Sequence, residues 1–209
     1  MMGNMTIRES LGLIAQHGII SDQVQTNELA VIIQQAAKAL SIGGAYVEFG
    51  CYSGTTSLYL QRLLATDMRH REFHVYDSFE GLPEKTTPDI SPVGEQFIAG
   101  ELAASKKAFI LNFKKAGLPL PVIHKGWFGN LNEEDIPDMI AFAFLDGDYY
   151  DSILDPLRLI WPHLSPGAIV VVDDYANEAL PGAQKAVDKW LQIHQGKLSV
   201  IHSLAVIHT

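Results

Sequence analysis

The sequence predicts an α/β domain, a doubly wound and mostly parallel sheet preceded by N-terminal helices. Three observations lead there. From Ala45 onward, short apolar runs of strand length alternate with stretches of helical period. The runs are continuously rather than alternately hydrophobic, as strands covered by helices on both faces are. Most of them also end on an acidic residue, which lines up polar chemistry along one edge of the predicted sheet. The length of 209 residues suits one domain, at about 150 residues per domain. A content of 47% hydrophobic and 19% charged residues supports a packed core and argues against a disordered chain. Residues 1–209 are therefore read as a single domain, with 1–43 as a helical extension.

Within the extension, Thr6 and Glu9 have the spacing of a capping box. Leu29, Ile32, Ile33, Ala36, Ala37 and Leu40 then recur at helical intervals until Gly43-Gly44 stops the pattern. Two helices are expected, packed on the core or on a neighbouring subunit. Strand candidates follow at 45–50 (AYVEFG), 73–79 (FHVYDSF), 121–126 (PVIHKG), 140–148 (IAFAFLDGD) and 168–174 (AIVVVDD). Helix candidates lie between and after them at 55–65, 101–116 (closed by Gly117), 151–161 and 181–194. Such alternation marks a doubly wound fold. The tail, KLSVIHS then LAVIHT, offers two more short strands as an antiparallel edge. Residues 80–95 hold Pro83, Pro88 and Pro92 and show no period, so the segment 80–100 is a candidate lid.

With 24 acidic and 15 basic residues, the formal net charge is -9. That balance disfavours nucleic acid as a partner, because phosphate binding draws on clustered Lys and Arg. Lys106-Lys107 and Lys114-Lys115 fall on one predicted helix and read as its solvated face. The N-terminus lacks the basic and apolar regions of a secretory signal, and no run of about 18 apolar residues spans a membrane, so a cytoplasmic protein is expected. Cys51 stands alone, which excludes an internal disulfide and a thiolate metal cluster within one chain.

Ligands of open α/β sheets bind beyond the carboxyl ends of the strands. The first strand runs into Glu48, Gly50 and Gly54, followed by Thr55, Thr56 and Ser57 at the head of a helix. Glycines there let the backbone turn sharply and approach a ligand, and the hydroxyls and amides suit a carboxylate. No Lys is present for a phosphate-cradling loop, and Tyr52 interrupts a dinucleotide fingerprint. Taken alone, the pattern is equally a tight strand-to-helix turn. Asp77, ending the second strand, is placed to accept hydrogen bonds from ribose hydroxyls, which favours a nucleoside-containing ligand. Asp146 and Asp148, with Asp173 and Asp174, call for a cation. Carboxylates without His or Cys nearby form a hard oxygen site, for Mg²⁺, Mn²⁺ or Ca²⁺ rather than Zn²⁺. The structural alternatives are Asp148 as a helix N-cap and Asp173-Asp174 as a solvated strand end. His124 reads as a strand-end histidine, and Cys51 as a small turn residue.

These motifs, in this order, resemble the class I S-adenosylmethionine-dependent methyltransferases, and most closely the macrocin O-methyltransferase family, which methylates sugar hydroxyls of antibiotics. The resemblance covers roughly 45–187. It rests on VEFGCYSGTTS, YDSFEGLPE (76–84), Asn112-Phe113 leading to KGWFGNL (125–131), FLDGDYYDS (144–152), LSPGAIVVVDDY (164–175) and PGAQKAV (181–187). It implies a Rossmann-like fold, with S-adenosylmethionine as cofactor and Mg²⁺ or Mn²⁺ as metal. Glu48, Gly50, Tyr52, Gly54, Thr55, Thr56, Asp77, Ser78, Trp127 and Phe128 are implied to bind the cofactor, with Glu48, Gly50, Gly54 and the hydroxyls after it at its methionine part, Asp77 at the ribose, and Trp127 and Phe128 near the adenine. Asp146, Asp173 and Asp174 match the family's metal ligands, and Asp148 its proposed general base. Catechol-type relatives carry a Lys where Tyr149 stands, which counts against that subclass. A small hydroxylated acceptor and a homo-oligomer are implied as well. Two rival readings are a metal-dependent nucleotide-sugar glycosyltransferase, from Asp146-Gly-Asp148 alone, and a cofactor-binding scaffold without turnover.

Overall fold

The computed structural model describes residues 5–21, 23–94 and 97–209. Two helices come first, α1 (Ile7–His17) and α2 (Thr26–Ala39). Thr6 and Glu9 form the expected capping box, and Gly18, at φ 72°, ends α1 in a conformation that favours glycine. Ile14 packs on Leu29, Ala30 and Ile33 of α2, and on Tyr59, whose hydroxyl donates to the Gly18 carbonyl at 2.5 Å. The extension is thereby fastened to the domain.

The remaining elements are β1 (Ala45–Phe49), α3 (Thr55–Leu64), β2 (Phe73–Asp77), α4 (Lys106–Ala116), β3 (Val122–Lys125), β4 (Ile140–Leu145), α5 (Tyr150–Ile160), β5 (Leu164–Val172), α6 (Pro181–Leu191), β6 (Lys197–Ile201) and β7 (Leu204–His208). Among the described residues they form one seven-stranded sheet in the order β3-β2-β1-β4-β5-β7-β6. The first five strands are parallel, while β7 runs antiparallel to both β5 and β6. The order reverses at β1, between β2 and β4, and that switch point opens a crevice at the strands' carboxyl ends.

Side chains alternate across the sheet. Tyr46, Phe142, Phe144, Ile169 and Val171 face α2, α3 and α4, whereas Val47, Phe49, Ala143, Leu145, Val170 and Val172 face α5 and α6. Both faces of β1, β4 and β5 are buried, which is why their sequences read as unbroken apolar runs. The same reading overstates β3, an edge strand whose Val122 is exposed. Three boundaries differ from expectation. Helix α4 begins at Lys106 under a Ser105 cap, because Glu101 is occupied in backbone pairing with Leu82. Strand β5 starts at Leu164, across a register shift against β4. Helix α6 stops at Leu191, and His194 folds back onto Trp161 and Trp190. Among the described residues, no helix is long and apolar enough to cross a membrane.

Candidate active site

The ladder continues past the strands at the switch point. The Gly50 amide donates to Tyr76 at 2.9 Å, Asp146 to Phe49 at 2.8 Å, and Asp173 to Leu145 at 2.8 Å. These bonds bring the ends of β2, β1, β4 and β5 into line around a cleft of about 790 Å³. Gly50 makes the close approach possible. At φ 84° it sits so near β4 that a Cβ would fall 1.9 Å from the Asp146 carbonyl oxygen.

Glu48 is 1% exposed, and Ser57 at the head of α3 donates to its carboxylate at 2.5 Å. Burial pushes the Glu48 carboxyl up to about 8; the Ser57 bond opposes this, and the charge of Asp77 adds to it. Gly54 precedes α3 at φ 92°, with the Phe109 ring filling the space where a side chain would stand. Thr55 and Thr56 are buried, and Ser21 from the extension pairs with the Thr55 hydroxyl at 3.1 Å. Asn112 donates to the Ser53 carbonyl at 2.9 Å, which explains the polar position beside core Phe113. Glu48, Gly54, Thr55 and Thr56 thus support the turn from below, whereas Gly50, Tyr52, Asp77, Ser78, Trp127 and Phe128 line the cleft itself.

Asp77 stitches two loops together. One carboxylate oxygen accepts from the amides of Cys51 (2.8 Å) and Tyr52 (3.1 Å), and the other accepts from Phe79 (2.6 Å). A carboxylate offers about four acceptor sites, so capacity remains for a ligand hydroxyl. Ser78 caps the next turn by accepting from Glu80 at 3.1 Å. Phe128 meets Phe49 edge-on at 5.4 Å, and Trp127 is 37% exposed on the cleft wall. His124 does not line the cleft; it stacks on Tyr76 and meets His74 at 3.1 Å. Burial, then the charges of Asp77 and Glu48, push the Cys51 thiol well up, so it makes no nucleophile at neutral pH.

Across the cleft, Asp146, Asp148 and Asp174 bring carboxylate oxygens within 4.8 Å of one another. Asp173, expected in this group, turns instead to accept from the Asp174 amide at 2.9 Å, while Asn177 donates to Asp174 at 2.8 Å. Asp148 and Asp174 hold left-handed backbones, at φ 62° and 56°, a strain of the kind that collects at functional sites. Asp148 is not the N-cap of α5. That position is Tyr149, and Asp89 from the 80–100 segment accepts the Tyr150 amide at 2.6 Å.

Asp89 carries no signal in the sequence, yet it is buried and also accepts from Thr86. Lys185 donates to Pro88 at 2.6 Å and Ser91 to Glu178 at 3.1 Å, so the base of this segment is tied to the starts of α5 and α6. Leu82, Phe97 and Leu102 form its apolar wall on the cleft; Glu95 and Gln96 lie outside the described residues. The cleft is also lined by residues with no signal in the sequence, among them Gln25 and Glu28 of the extension and Ser203 of the β6–β7 turn.

Burial, followed by the charges of their neighbours, raises Asp146 and Asp148 well above the usual carboxylate range and pushes Asp173 up to about 8; burial also raises Asp174. A carboxyl raised on folding holds its proton in the folded protein and loses it in the unfolded chain. Folded-state stability therefore falls as pH rises from the ordinary carboxylate range, about 4, towards about 8. A cation bound in the proton's place would reverse the loss. The melting temperature without divalent ions is expected to drop between about pH 5.5 and 8, and the gain on adding Mg²⁺ to be larger at the higher pH. A Mg²⁺ gain that is equal or smaller at the higher pH contradicts this.

Comparison with known proteins agrees with this geometry. The macrocin O-methyltransferase (TylF) family matches residues 17–207. The chain is 33% identical over 144 residues to the 8-demethyl-8-(2,3-dimethoxy-alpha-L-rhamnosyl)-tetracenomycin-C 4'-O-methyltransferase of Streptomyces olivaceus, a match covering 66% of this chain and 55% of that protein. It is 28% identical over 176 residues to the mycinamicin III 3''-O-methyltransferase of Micromonospora griseorubida, covering 80% and 68%. The solved structure of the O-methyltransferase NovP superposes with a TM-score of 0.72 at 28% identity, over 87% of this chain and 78% of that one. The chain thus spans little more than half the length of the first of these relatives. The fold is that of the class I methyltransferases, Rossmann-like with a mostly parallel sheet. A match that runs from the end of α1 into β7, over the cleft and its acidic wall alike, shows that the chain belongs to the macrocin O-methyltransferase family.

Proposed function

We propose that the protein is an S-adenosylmethionine-dependent O-methyltransferase that requires Mg²⁺ or Mn²⁺ and acts on a hydroxyl of a sugar or another small natural product. The observation that carries this reading is the shared cleft: the turn after β1 and the carboxylates after β4 and β5 face the same space. Family membership supports it, as do the names of the two relatives, O-methyltransferases of a rhamnosyl-tetracenomycin and of mycinamicin III.

The acidic group fits a cation. Its donors are all carboxylate oxygens, and three of them converge within 4.8 Å. Asp146 and Asp174 of that trio would hold the ion, and Asp173, the third ligand the resemblance implies, would have to turn from the Asp174 amide to join them. The cation, when bound, lowers the pKa of a coordinated hydroxyl as it does that of water. The cofactor supplies a methyl group on a sulfonium.

The chain's own residues do the rest. Gly50 would let the backbone approach the methionine part, Asp77 would offer its remaining acceptor site to the ribose, and Trp127 and Phe128, which line the cleft, would hold the adenine. Asp148, within 4.8 Å of Asp146 and Asp174, takes the acceptor hydroxyl's proton. Leu82, Phe97 and Leu102 keep water from that end of the cleft. In-line displacement demands alignment of oxygen, methyl and sulfur, and positioning of this kind supplies much of the rate.

The same reading expects a cytoplasmic homo-oligomer with small-molecule rather than nucleic-acid substrates. The test is methyl transfer from S-adenosylmethionine to a panel of glycosides and phenols, followed by mass spectrometry with and without EDTA. Methylated glycoside formed only without EDTA is the expected result. Cofactor uptake with no product from any acceptor would support a non-catalytic scaffold instead.

A further inference from the structure

Asp148 sits at the centre of a three-residue turn, which the Tyr149 amide closes by donating to the Gly147 carbonyl at 2.6 Å. A turn of this kind with a positive φ at its middle residue, here 62°, is the rare and strained form. Gly147 presses against the first turn of α5, where a Cβ would fall 2.6 Å from the Ser152 carbonyl oxygen. The two residues after Asp148 are both gripped by the 80–100 segment. The Tyr149 hydroxyl donates to the Phe97 carbonyl at 3.1 Å, and the Tyr150 amide donates to Asp89 at 2.6 Å. Asp89 is fixed in turn by the amide and the hydroxyl of Thr86, at 2.9 and 2.7 Å.

Packing alone explains Tyr149 poorly. Its side chain is buried with Leu82 and Leu180 in an apolar cluster that a phenylalanine ring would fill as well, and the hydroxyl is spent on a loop carbonyl. A strained backbone persists only where its surroundings over-determine it. The carboxylate of Asp148 also lies among those of Asp146 and Asp174, whose charges push it away. We infer that Tyr149 and Asp89 are positioning residues for Asp148: through them the 80–100 segment holds the strained turn and keeps the carboxylate directed at the acceptor hydroxyl. This inference rests on the reading of Asp148 as proton acceptor proposed above. It gives the segment that walls the cleft a part in proton transfer, beyond covering the site.

The test is a double-mutant cycle in the full chain, with Tyr149→Phe and Asp89→Ala made both alone and together with Asp148→Asn. Methyl transfer to the best glycoside of the panel is followed by mass spectrometry, and S-adenosylhomocysteine affinity by calorimetry. Tyr149→Phe leaves the ring in its apolar cluster, so it cuts the bond to Phe97 without opening a cavity. Each single variant is expected to lower kcat by about tenfold or more, the scale of loss when a reacting group is slightly misplaced. KM for the glycoside and S-adenosylhomocysteine affinity should stay within about twofold of the wild type, since neither residue is assigned to binding. Added to Asp148→Asn, each change should cost less than about a further twofold, because residues that act through one group do not add. Full turnover in Tyr149→Phe overturns the inference. So does a loss that multiplies with that of Asp148→Asn, which assigns the effect to the segment as a cover over the acceptor. An Asp148→Asn variant with full activity, or a wild type that methylates no acceptor, removes the proton-acceptor reading itself, and this inference with it.

Discussion

Asp148→Asn is expected to lower methyl transfer by about 10²- to 10⁴-fold, the usual contribution of a positioned proton acceptor. Asn matches Asp in size and tolerates the left-handed backbone at φ 62°, so the turn before α5 is retained. S-Adenosylhomocysteine affinity should be unchanged. Without divalent ions the variant should melt higher than the wild type, because one of the mutually repelling acids is gone. Steady-state kinetics with the best glycoside of the panel checks the first expectation and calorimetry the second. Full activity in Asp148→Asn would remove that residue from proton transfer and leave it as part of the cation's surroundings.

Among the described glycines, Gly50→Ala is expected to have the largest structural effect. The new Cβ would meet the Asp146 carbonyl oxygen at 1.9 Å and its carbon at 2.8 Å, both backbone atoms of the neighbouring strand end. A left-handed φ adds strain to that clash, and together they predict a loss of about 3 kcal/mol or more. Gly117→Ala is the control. Gly117 also has a positive φ but nothing within 4 Å, so the backbone term alone, about 1–2 kcal/mol, applies. Urea unfolding of both variants separates the two contributions. Because the clash pries β1 from β4, Gly50→Ala should also lose S-adenosylhomocysteine binding, whereas Gly117→Ala should keep it.

How much of this was legible in the sequence depended on the range of the interactions. Strands β1, β4 and β5 could be read because burial on both faces leaves a continuous apolar run, and their acidic ends could be read because the topology puts them on one side of the sheet. The capping box of α1 and the Gly117 stop of α4 are local and were equally plain. The start of α4 was not, since a loop pairing between Leu82 and Glu101 takes its first expected turn away.

In the site, the residue types were legible but their partners were not. Asp77 was read as a ligand for ribose, and nothing in FHVYDSF tells that its carboxylate also ties down the Cys51 and Tyr52 amides. Asp89 looks like an ordinary loop acid, yet it caps α5 from 61 residues away. Glu28 looks like any acid in a helix's first turn, and only the placement of the β6–β7 turn makes it part of the cleft. Such roles come from tertiary contacts, which leave no periodic trace in the chain.

The most direct test of the account is calorimetric titration of the wild-type chain with S-adenosylhomocysteine, repeated with Asp77→Ala. Saturable binding at one site per chain is expected, weakened at least tenfold when the Asp77 carboxylate is removed, because both the loop and the ribose lose their acceptor. Absence of binding to the folded wild type would contradict it.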